Sequence, residues 1–202
     1  MALNFANNNS LSAITTKPSG LSGGAMNLIS TQTASSSSTI SFTSGIDSTY
    51  DEYVFKFYNI HPSSDSDVQL QFNGSADTGS NYNVTKTTTH FSAYHYESNL
   101  TASLGYNTSY DIAQGTGFQT LSTNIGGDND QCGSGYIHLF APSSTTFAKH
   151  FISNVSFVQS DDVARIDYVA GYFNTTSAVD AMQFKFSSGN IDSGVIKLYG
   201  IS

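Results

Sequence analysis

A single cysteine, Cys132, rules out an intrachain disulfide in this 202-residue chain, so its stability must come from packing or oligomerisation. Tryptophan is absent and proline occurs three times. Charged residues make up 11% of the chain, against roughly a quarter in ordinary globular proteins. Seven are basic: Lys17, Lys56, Lys86, Lys149, Arg165, Lys185 and Lys197, scattered singly along a chain of net charge −8. Nucleic-acid binding needs a basic patch that displaces counterions from phosphates. An anionic membrane surface asks for the same, so neither is an expected partner. No apolar run is long enough to cross a bilayer. The opening MALNFANNNSLSAITT has no basic n-region and no continuous apolar h-region, so no secretory signal is read there. With no disulfide either, the expected place of folding is a cytoplasm. The N-x-S/T triplets at Asn73, Asn83, Asn99, Asn107, Asn154 and Asn174 read as chance products of a Ser/Thr/Asn-rich chain.

What the chain does hold is aromatic and strand-like. Phe and Tyr supply all of the 13% aromatic content. The run Tyr53 to Ile60, entered from a turn at Ser44–Ser48 and stopped by His61-Pro62, is apolar on both sides with Lys56 its one charge. Tyr53, Phe55 and Phe57 are expected on one face, and Val54, Tyr58 and Ile60 on the other. That pattern predicts a central strand covered on both faces, ended by proline. Val68 to Asn73 alternates, with Val68, Leu70 and Phe72 inward. Further strands are predicted from Met26, over Thr39–Phe42, Val84–Tyr96, Phe118–Leu121 and Tyr136–Phe140, and over Phe147–Val158, where Phe147, Phe151, Val155 and Phe157 share a side. Arg165–Phe173, Ala181–Phe186 and Val195–Ile201 complete the set. Asn99–Gly117 reads as irregular, and Gly74–Tyr82 and Asn124–Gly135 as Gly-rich turns. About eight to ten strands without a helical stripe predict one all-β domain, an antiparallel β-sandwich of jelly-roll type over residues 25–202. Residues 1–24 are too polar and Gly/Pro-rich to pack as core. They read either as a loose terminus or as an extended arm that pairs with a neighbour through Met1, Leu3, Phe5, Leu11 and Ile14.

Several stretches carry a resemblance: TISFTSGIDSTYDEY (Thr39 to Tyr53), NIHP (Asn59 to Pro62), GYNTSYD (Gly105 to Asp111) and FAPSSTTFAKHF (Phe140 to Phe151). VAGYFNTTSAV (Val169 to Val179) and the closing QFKFSSGNIDSGVIKLYGI (Gln183 to Ile201) extend it over nearly everything after the arm. They resemble a family of tailed-phage structural proteins from phages of marine and freshwater bacteria. The loop Asp77-Thr78-Gly79-Ser80-Asn81-Tyr82 is similar to that family's DGGSNY, with Thr78 replacing a glycine. The resemblance implies a surface part of a virion, a capsid decoration, head fibre or tail-fibre module. It further implies synthesis in the host cytoplasm and assembly as a homotrimer on a major capsid protein or tail component. It hands over no catalytic residues.

The candidate sites each have a plainer alternative. Asp128-Asn129-Asp130 offers oxygen ligands of the kind Ca²⁺ takes, yet lacks the spacing of a calcium loop and reads as a solvated turn. His90 and His95 lie five apart, on opposite faces of a strand, and cannot share a metal; His138 and His150 read as packing or surface residues. Asp47, Asp51 and Glu52 are the nearest carboxylate cluster but read as a polar strand entry rather than a glycosidase pair. Cys132 has no signature of a partner base. No cofactor is expected and no enzyme motif is present. The expected function is therefore non-catalytic: a virion protein acting through protein contacts. Its alternative is a tail-fibre module that binds a host surface glycan through Tyr94, Tyr96, Tyr106 and Tyr110.

Overall fold

The computed structural model describes residues 25–64 and 68–202. The proposed arm, with Met1, Leu3, Phe5, Leu11 and Ile14, lies outside the described residues, as does most of the polar turn after Pro62. The rest is strand and loop: β1 (Met26–Thr33), β2 (Ile40–Phe42), β3 (Glu52–Pro62), β4 (Val68–Ser75), β5 (Lys86–Tyr96) and β6 (Ala102–Tyr106). After one 3₁₀ turn, Thr108–Tyr110, come β7 (Gln119–Ile125), β8 (Gly133–Phe140), β9 (Lys149–Gln159), β10 (Val163–Phe173), β11 (Ala181–Phe186) and β12 (Ile191–Ile201). Every pairing is antiparallel.

The strands form two layers. Eight run in the order β1-β12-β3-β8-β9-β10-β5-β6, and four in the order β7-β4-β11-β2. The layers meet at one corner, where β7 touches β9 through Ile125 and Gln159. The result is a sandwich nearly closed into a barrel, all-β and jelly-roll-like as the alternation predicts. Eight of the connections between successive strands pass from one layer to the other, so neither sheet forms without the other. Aromatic side chains fill the gap. Phe184 and Phe42 of the small sheet meet Phe55 edge-on or tilted at 5.3 and 5.2 Å, and Phe72 meets Phe151 at 5.0 Å. Such offset contacts suit the ring quadrupole.

Three expectations are corrected. Ile60 lies in the core with Phe55 and Phe57, not opposite them. A bulge between Phe57 and Ile60, with Asn59 at φ +50°, inserts an extra residue and returns Ile60 to the inner face. The partner strand bends at the same place: Gly194 has φ +122°, and a Cβ there would lie 2.7 Å from Asn59 O. β3 is interior to its sheet, but its outward face is open, with Lys56 half-buried and Tyr58 exposed. Phe147 stands outside β9 and is 73% exposed, because Ser144 Oγ accepts the Thr146 and Phe147 N–H groups and holds a turn there. β6 is the strand that sequence alone missed. All five of its residues are exposed, so no buried face imposes an alternation of apolar side chains.

Candidate functional site

Part of the interior is polar. The inward positions of β5 are Lys86, Thr88, His90 and Ser92, all buried. Gln119 of β7, also buried, meets Thr88 through its side-chain oxygen, and buried Thr123 reaches β10. Buried polar groups require partners, and a network supplies most of them, leaving His90 Nε2 and Ser122 Oγ without one. Asp167 Oδ1 accepts from Arg165 Nε at 2.9 Å, and Oδ2 from Thr123 N and Oγ1 at 2.8 and 2.9 Å. Arg165 continues to Gln159 Oε1 and Ser92 Oγ. Asn107 Nδ2 donates to Ser92 Oγ at 2.8 Å and lies 3.3 Å from His90 Nδ1. The Tyr110 ring packs on His90 at 5.3 Å.

A histidine, a carboxylate and a serine in one cluster invite comparison with a nucleophilic triad. The geometry does not support it. His90 Nε2 is 3.5 Å from Asp167 Oδ2 and makes no hydrogen bond, and Ser92 Oγ already accepts from two other donors. His90 and Asp167 are fully buried. The cluster ties β5, β7, β10 and the 107–110 segment together as an internal brace.

Two lysines share this interior. Lys86 and Lys149 both stand opposite Phe173, on either side of β10, and both are fully buried. Their ammonium groups donate to carbonyls, Lys86 to Gly117 O at 2.5 Å and Lys149 to Thr175 O at 2.8 Å. Burial lowers both pKa values, that of Lys86 to about 8. Asn73 Nδ2 donates to Gly117 O as well, together with Tyr82 O and Thr116 O. Along the sequence these lysines are two of seven singly scattered basic residues. The available signal was their phase: Lys86 alternates with Thr88 and His90, and Lys149 with Phe151 and Val155.

The other predicted residues are also committed to local contacts. His138 Nδ1 pairs with Glu52, and Tyr53 OH donates to Asp47, whose carboxyl is held below its usual range mainly by Thr49. Asp128, Asn129 and Asp130 are exposed; Asn129 and Asp130 line a polar cleft of about 390 Å³ with Asn59, His61 and Asp192. Among the described residues no three His, Cys, Asp or Glu side chains converge as a metal site. Cys132 borders the same cleft, its thiol pKa pushed up by burial, which makes it a poor nucleophile. His95 and His150 are exposed on the outer face. The four tyrosines do not share one surface. Tyr94 and Tyr96 meet edge-on at 6.0 Å, with Arg165 over Tyr94. Tyr110 covers His90, and Tyr106 stands opposite Phe91 and donates to Asp111.

The remaining feature is the outward side of β9, β10, β5 and β6. Register puts Ile152, Ala170 and Thr89 in one row, Asn154, Tyr168, Phe91 and Tyr106 in the next, and Ser156, Ile166, Ala93 and Leu104 in a third. None is Asp, Glu, Lys or Arg. Ile152 is 51%, Leu104 72% and Phe91 41% exposed. Contiguous apolar surface of this kind marks an interaction site more often than a solvated face.

Comparison with protein-family models, with curated proteins and with solved structures found no match to the chain.

Proposed function

We propose that the chain is a non-catalytic structural protein on the surface of a bacteriophage particle, a capsid decoration or head-fibre protein that works through protein contacts as a homotrimer. One observation carries the non-catalytic part: the chemistry-bearing side chains brought together inside the fold, His90, Asp167, Arg165 and Ser92, brace its strands. What faces outward over four strands carries no Asp, Glu, Lys or Arg and is largely apolar, which suits contact with protein. The resemblance of six stretches to tailed-phage structural proteins supports the virion setting. Immunodetection of the chain on purified intact particles tests the reading, and recovery only from the host's soluble fraction would remove it. Deleting residues 1–24 is expected to abolish attachment while the thermal unfolding transition persists; retained attachment would count against the arm.

A tail-fibre module that binds host glycan is the second reading. The Tyr94–Tyr96 pair, with the Arg165 guanidinium over one ring, favours it as a place for a sugar to stack. Glycan binding by the purified chain, lost in Tyr94→Ala, would promote it.

A further inference from the structure

The outward side of β5, β10 and β9 has relief as well as apolar character. Phe91 and Tyr168 stand opposite one another and stack, with centroids 4.8 Å apart and planes 9° from parallel. They form a ridge across the strands. On one side of it the small side chain of Ala170 floors a hollow of about 500 Å³, walled by Ile152 and Tyr172. On the other, Ala93 and Ala164 floor a second hollow of about 400 Å³ beside Ile166. A ridge set beside hollows on one face can pack head-to-tail, the ridge of one copy in a hollow of the next, and such a heterologous contact closes into a ring when its rotation is threefold.

The geometry points to a second copy of this chain as the occupant of this face, with the Phe91–Tyr168 ridge of one copy in a hollow of the next. The inference rests on the proposed structural role and deepens it by naming the surface where copies meet. Charge supports a copy as the occupant. Two chains of net charge −8 repel one another, and they come together most readily where neither presents a carboxylate. Area supports it too. Four strands spaced about 4.8 Å apart, over nine residues of about 3.3 Å each, give a flat footprint of roughly 600 Å². A stable interface takes roughly 800 Å² from each partner, and the relief of ridge and hollows makes the accessible area of the face larger than its flat footprint.

Sedimentation velocity on the full chain at micromolar concentration tests this. Wild type is expected to sediment as an oligomer. Phe91→Glu places a desolvated charge in the contact and should weaken association roughly thirtyfold or more, the scale of a buried hot-spot residue. Ile152→Glu, at a half-exposed position, should act alike if Phe91→Glu folds poorly. Leu28→Glu, on exposed surface of β1 away from the ridge, should change nothing. Benzoylphenylalanine in place of Phe91 should yield, on illumination, a product of twice the chain's mass. An assembly indifferent to both glutamates would overturn the assignment of this face and leave the structural role standing. A crosslink within one chain to residues 1–24 would overturn it by naming the arm as occupant. A wild-type monomer would overturn both the face and the homotrimer.

Discussion

Lys86 carries an ammonium group into a buried space with one carbonyl hydrogen bond, and its pKa of about 8 records the cost. Because the folded value lies below the ordinary 10.5, the folded chain releases its proton first as pH rises. Between pH 8 and 10.5 the unfolded chain therefore holds more protons, and the contribution of Lys86 to stability climbs with pH. Below pH 8 the penalty stands in full. Lys86→Met keeps the length and removes the charge. It is expected to stabilise the fold at pH 7 by roughly 2 kcal/mol, the desolvation relieved less one hydrogen bond. The advantage should shrink by pH 10, where the wild-type amine is neutral. Urea unfolding of both proteins at the two pH values measures this. An advantage that does not change with pH would mean that the ammonium keeps its charge throughout.

The loop between β4 and β5 is an element whose sequence and geometry disagree at one residue. Asp77 accepts from Ser75 Oγ, Asn81 N and Asn81 Nδ2 at 2.6 to 2.9 Å, and these bonds take its pKa down to about 2. The carboxylate thus closes the turn from both ends. Within it Thr78 has φ +59°, a left-handed conformation that a β-branched residue adopts at a cost. Thr78→Gly is expected to stabilise by about 0.5–1 kcal/mol, less than the full strain because glycine gains freedom in the unfolded chain. A rise in the thermal midpoint would show it; a fall would mean that the threonine hydroxyl, donating to Asp77 O at 2.7 Å, outweighs the strain. Elements of this kind show where sequence is readable. Val68, Leu70 and Phe72, or Met182, Phe184 and Phe186, alternate cleanly because one face of each strand is packed and the next layer imposes the phase. Ile60 broke the rule because a bulge adds a residue without leaving a mark in hydrophobicity. The polar brace went unread for a different reason. Thr88, His90, Ser92 and Asp167 look like surface residues until β7 and the 107–110 segment are folded over them, and that contact is long-range. The same holds for the docking face. Phe91, Tyr168 and Ile152 are each apolar residues in ordinary strands, and only the register of three strands makes them neighbours.

For the whole molecule the governing contrast is between a net charge of −8 and the outward side of β9, β10, β5 and β6, which carries no Asp, Glu, Lys or Arg. The carboxylates Asp128, Asp130, Asp161 and Asp162 lie in the turns at the ends of strands. Two copies that meet at the Phe91–Tyr168 ridge hold these like charges at a distance across solvent. At about 0.01 M salt the screening length is roughly 30 Å, and at 0.15 M it is about 8 Å. Association through an uncharged contact is therefore expected to tighten as salt rises over this range, by several-fold in the dissociation constant read from sedimentation. Contacts built on ion pairs respond in the opposite sense, since salt screens their attraction. Glu52, Lys56 and Lys197 lie on the outward side of the same eight-stranded sheet, three and four strands away from the ridge. Association that weakens with salt would move the contact toward those residues and away from the aromatic ridge.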